Sequence, residues 1–130
     1  MVVRLIAATF GAASILVVAS VAYADAEKEI STAATHAGLA QKAGDMKGVK
    51  MHLQHVTNCL VGPSGKGFDA APGNPCNGQG NGAIADTTDA AQKQKLTQAL
   101  DKVQAGLKQT DMAAAKKDAE DAQGILTPKM

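Results

Sequence analysis

The three histidines of this chain, His36, His52 and His55, all fall within one stretch of twenty residues in its first half. Imidazole nitrogen suits Zn, Cu and Ni, and a thioether from nearby Met46 or Met51 would suit Cu(I). Other candidate chemistry fails on spacing. Gly62-Pro63-Ser64-Gly65-Lys66-Gly67 glances at a phosphate-binding loop, but that pattern needs glycine where Leu60 stands and a hydroxyl where Gly67 stands. Asp69 and the asparagines around it could offer oxygens to calcium, yet no calcium-loop spacing is present. Covalent haem needs a Cys-x-x-Cys-His run, which is absent, and no Ser or Cys nucleophile has a plausible His partner. The expectation is a chain that is not an enzyme.

The elements that position the histidines follow from periodicity. Ile30, Ala33, Ala37 and Ala40 step by three and four, as do Met46, Val49, Leu53, Val56 and Leu60, so both segments predict amphipathic helices. Between them, Gly44 could end the first helix in a left-handed conformation and Asp45 could cap the second. In an antiparallel hairpin turning at Gly44, His36 and His52 stand eight positions before and eight after the turn and should face each other. His55, one turn on from His52, shares its face, and Cys59 follows one turn later. Three imidazoles could converge.

The same seam returns sixty-six residues later as Leu96, Ala99, Val103 and Gly106, then Met112, Ala115, Ala119, Ala122 and Leu126. The expected fold is all-α: an up-down-up-down four-helix bundle made of two duplicated helical hairpins. At that offset His36 and His52 become Lys102 and Asp118, which could form a cross-helix ion pair. By the same logic His36 and His52 could be a neutral hydrogen-bonded pair with no ligand, so metal binding and structural pairing stand side by side. Non-covalent haem is disfavoured, because a directly facing pair on Ala-rich helices leaves little room for a porphyrin.

Between the hairpins lies a Gly/Pro/Asn-rich loop, residues 62–86, read here as neither helix nor strand. Met1 to Arg4 is a short positive start, Leu5 to Tyr23 is an uncharged apolar run, and Ala22-Tyr23-Ala24 is a small-x-small step. Residues 1–24 therefore read as an export signal or, alternatively, an uncleaved membrane anchor, with residues 25–130 as a single helical domain outside the cytoplasm. In an oxidising compartment Cys59 and Cys76 predict a disulfide, stapling the loop back to the second helix.

Composition narrows the function classes. The chain has 130 residues and a formal charge of +1, and its one arginine, Arg4, lies in the leader, leaving 12 Lys against 12 Asp and Glu in the body. A neutral body with Phe68 as its one aromatic excludes phosphate-driven nucleic-acid binding and base-stacking platforms.

Segments such as Thr35-His36-Ala37-Gly38-Leu39-Ala40 and Val49-Lys50-Met51-His52-Leu53-Gln54-His55-Val56 resemble the helical-hairpin repeats of the small metal-binding protein family of the bacterial periplasm. That family consists of exported four-helix bundles with many histidines in both halves and no cysteine-stapled loop. At His36, His52 and His55 the resemblance implies divalent metal binding. Two functions are expected from these readings. One is an exported buffer or carrier of Cu, Zn or Ni with a site on the first hairpin. The other is a non-catalytic accessory subunit of an envelope complex, touching its partner through loop 62–86 and tethered to the membrane if the leader is retained.

Overall fold

The computed structural model describes residues 18–128, with side chains from residue 25 onward, so most of the leader expected at residues 1–24 lies outside the described residues. Five helices follow one another: α1 (Val18–Lys42), α2 (Met46–Val61), the single turn α3 (Ala83–Asp86), α4 (Ala90–Lys108) and α5 (Met112–Leu126). No strand occurs among the described residues, and no helix there is long and apolar enough to cross a membrane. Helix α1 packs against α2 and α5, and α4 packs against the same two.

The core is aliphatic and follows the periodic positions. Ala33, Ala37 and Ala40 of α1 and Val49, Leu53, Val56 and Leu60 of α2 are fully buried. Leu96, Ala99 and Val103 of α4 and Ala115, Ala119 and Ala122 of α5 are likewise buried at the offset of sixty-six. The turns repeat at that offset too. Asp45 accepts from the Gly48 amide and Asp111 from the Ala114 amide, so each second helix starts on an aspartate whose side chain takes up an orphan N–H.

Three expectations need correction. Gly44 has no left-handed backbone; glycines with positive φ include Gly62, Gly67 and Gly82, but not Gly44. The turn closes instead through the Ala43 amide on the Ala40 carbonyl and the extended Asp45 cap. Met46 and Met112 stand outside the buried seam, Met46 half-buried and Met112 exposed, because the core begins one turn later at Val49 and Ala115. The loop's end is helical: Ala83–Asp86 closes one turn, with the Asp86 amide bonded to the Gly82 carbonyl.

The disulfide joins Cys59 of α2 to Cys76 of the loop, with both residues buried. Gly62, the C-cap of α2, has φ 69° and lies so close to the Asn81 carbonyl that any side chain would collide with it. A left-handed conformation in contact with another backbone is a place only glycine fills.

Candidate metal centre

Helix α1 contributes His36 and α2 contributes His52 and His55, all half-buried at the seam of the first hairpin. Facing across the turn brings His36 Nδ1 to 3.2 Å from His52 Nδ1, and it stands equally far, 3.2 Å, from His55 Nδ1. The ring centroids are 4.7–5.6 Å apart, and one ligand nitrogen from each ring lies within 4.8 Å of the others. The spacing expected from the sequence is realised for all three residues.

His55 is oriented from behind. Its Nε2 lies 2.8 Å from the Pro72 carbonyl oxygen, which can only accept, so Nε2 carries a proton there and Nδ1 is the nitrogen turned toward the centre. A backbone carbonyl holding the far nitrogen of an imidazole is the usual way a ligating histidine is fixed in one tautomer. His36 Nδ1 thus meets two other ring nitrogens at once. A positive charge at this point would hold all three inward nitrogens together.

His36 and His52 resist supplying that charge themselves. Burial, and after it the neighbouring His55 and His52 rings, pushes His36 down from its ordinary 6.5 to about 4. His52 is lowered by burial first and then by His55. A metal ion could supply it. With metal–nitrogen bonds of about 2.0–2.1 Å, ligands sharing a tetrahedral edge lie about 3.3–3.4 Å apart, whereas ligands trans across a metal lie about 4 Å apart. The two 3.2 Å contacts fall near the edge length, and the third pair lies within 4.8 Å. A porphyrin iron, which takes its two axial ligands trans, does not match this spacing.

Cys59 is buried in the disulfide and leaves no thiolate for a fourth ligand. Met46 packs against the core, and Met51 lines a groove with Pro72 and Leu107 on the side of α2 toward α4.

The loop is built onto α2 by residues that sequence reasoning passed over. Asn58 is fully buried; its Nδ2 donates to the carbonyls of Asp69 at 2.6 Å and Gly73 at 2.8 Å, and its Oδ1 accepts from the Asp69 amide at 3.0 Å. Gln54 donates to the Gly67 carbonyl at 2.8 Å. Gln54, His55, Asn58 and Cys59 thus hold successive parts of residues 67–76, and Pro72 reaches His55 because Asn58 fixes the chain on both sides of it. The signal was available: asparagine inside a helix is disfavoured unless its side chain has a partner.

The second hairpin resolves the same positions with charge. Lys102 does not pair with Asp118 as expected. It lies 3.3 Å from Asp121, the residue that stands sixty-six positions after His55, and Asp118 accepts from Gln109 at 2.9 Å. Asp121 is shared, since Lys117 also binds it at 2.6 Å, while the Asp118 carboxylate is taken up by Gln109. The hydrogen bonds hold the Lys117 ammonium above its ordinary range and the Asp121 carboxyl below its own.

Comparison with protein-family models, with curated proteins and with solved structures finds no match for this chain.

Proposed function

We propose that this chain is a non-catalytic, exported metal-ion-binding protein that buffers or delivers one Cu, Zn or Ni ion per molecule. His36, His52 and His55 are the ligands, and Pro72 is the outer partner that fixes His55. The observation that carries this reading is the pair of 3.2 Å Nδ1 contacts at His36 combined with the Pro72 carbonyl on the far side of His55. A merely structural histidine pair needs one proton between two nitrogens. Three inward nitrogens meeting at His36 can instead be completed by a cation.

In this reading the scaffold is a four-helix bundle of two like hairpins, of which only the first carries the site. Support comes from the buried positions and capping bonds that recur at an offset of sixty-six. Export is supported by the residue pattern of positions 1–24 and by the disulfide.

Calorimetric titration with Cu(II), Zn(II) and Ni(II) near neutral pH tests the function. About one ion per chain should bind more tightly than about 100 μM, and His36→Ala or His52→Ala should each weaken binding by about tenfold or more. No saturable binding, or equal binding by the double His36→Ala/His52→Ala variant, would reduce the histidines to polar packing and favour the accessory-subunit reading.

A further inference from the structure

A second buried polar feature lies away from the histidines, where α1 meets the end of the loop. Glu29 of α1 is 1% exposed, although it belongs to a residue type that is almost never fully buried without a partner. Its Oε1 accepts one hydrogen bond, 2.9 Å from the Gly82 amide, and its Oε2 is buried with no partner at all. The wall over it is made of glycine. A side chain at Gly80 would run into the Asp86 carboxylate and meet Glu29, and one at Gly82 would collide with the backbone of Val61 and Gly62.

The charged groups facing Glu29 are all acidic. Asp86 comes from α3 and Asp25 from its own helix, and both raise its pKa. Asp89, the N-cap of α4, lines a cleft with Ala26 and Ile30 nearby. The end of α2 brings the uncharged Val61 and Gly62 against Gly82, and the disulfide lies on the Glu29 backbone, with the Cys76 sulfur 3.9 Å from its carbonyl oxygen.

We propose that Glu29 is a proton-operated latch for the loop end: protonated, it lets Gly80–Asp86 lie closed on α1, and ionised, it drives that segment open to regain water. A buried carboxylate with one hydrogen bond and two acidic neighbours is costly, and the cheapest relief is to lift the glycine wall rather than unfold the helix. The disulfide bounds the movement, since Cys76 is held to α2 and the opened segment begins after it. The inference stands independently of the metal reading, because none of its residues touches a histidine.

The sign follows from linkage. Burial, opposed by the Gly82 bond and aided by Asp86 and Asp25, raises Glu29 from 4.5 to about 7 in the closed state. Between these values the closed form holds a proton that the open form has lost, so the closed form weakens as pH rises. A two-state latch with these values opens roughly 70-fold more at pH 8 than at pH 5.

Hydrogen exchange of the Gly82 amide in the intact protein, corrected for intrinsic rates, reads the latch. Its protection should fall by roughly 70-fold from pH 5 to pH 8, while Glu29→Gln, uncharged at every pH, should change by less than about twofold. If Glu29→Gln does not fold, Asp86→Asn serves instead: removing one negative neighbour lowers the closed-state pKa and should shrink the pH dependence. Equal pH dependence in the wild type and the folded variant, or a Glu29 carboxyl that carbon NMR finds titrating near 4.5, would overturn the proposal. Protection restored at pH 8 by added Ca2+ would also overturn it, making the feature a cation site.

Discussion

The two hairpins share buried positions and caps but differ in what they do with the polar positions beside the seam. The first places three imidazole rings between α1 and α2, with His36 Nδ1 3.2 Å from each of the other two. The second places Lys102, Asp118 and Asp121 there, and satisfies them with one another, with Lys117 and with Gln109. Opposite charges at an exposed surface complete themselves. Three imidazoles whose inward nitrogens meet at one atom do not, and that incompleteness distinguishes a candidate site from a helix-pairing device.

The hairpins also differ in which helix carries the bulk, the second in the first hairpin and the first in the second. Large buried side chains gather on α2 and α4, where Leu53 reaches so close to Gly106 that a Cβ there would sit 2.9 Å from its Cδ1. The facing stripes of α1 and α5 are almost wholly alanine. Helices with alanine seams approach closely, and Gln123 of α5 accordingly reaches the Ala34 carbonyl and Gln41 of α1.

The largest effect should come from that bulk. Leu53→Ala empties a fully buried site and should cost about 2–4 kcal/mol in chemical denaturation. Ala119→Ser, at the matching position of the second hairpin, should cost less. A neutral Leu53→Ala would break the shared register, and the facing of His36 and His52 with it.

Next is Asn58→Ala, which strips three hydrogen bonds from the loop and should cost about 1–3 kcal/mol. It should also weaken metal binding, because Pro72 loses the chain segments that place it. Unchanged metal affinity would separate the loop from the site.

The apo protein's pH response sharpens the comparison further. His36 has its pKa lowered in the folded state, so the neutral form is favoured, and the stability it contributes above its ordinary 6.5 is lost as pH falls toward about 4. His36→Gln should flatten this acid loss in urea denaturation followed from pH 7 to pH 4. The smallest effect belongs to the second hairpin: Lys102→Ala should leave metal affinity unchanged, and a drop there would mean that the site reaches beyond the first hairpin.

Much of this was legible in the residues. Equidistance from Gly44 placed His36 opposite His52, helical spacing added His55, and the two cysteines announced their bridge. What stayed hidden depends on contacts between segments with no shared period. A loop carbonyl such as that of Pro72 has no signature in residue type. Glu29 reads as an ordinary exposed helix residue until the glycine wall closes over it. Equal distance from the turn matches Lys102 to Asp118, and spacing alone cannot rank Asp118 against Asp121, one turn on.

The most direct test of the central claim is X-ray absorption at the metal edge of protein loaded with one equivalent of Zn(II) or Cu(II). The account predicts three imidazole nitrogens at about 2.0–2.1 Å, with the ring scattering that imidazole produces, reduced in His36→Ala. A first shell of oxygen alone, or the same spectrum in His36→Ala and His52→Ala, would contradict it.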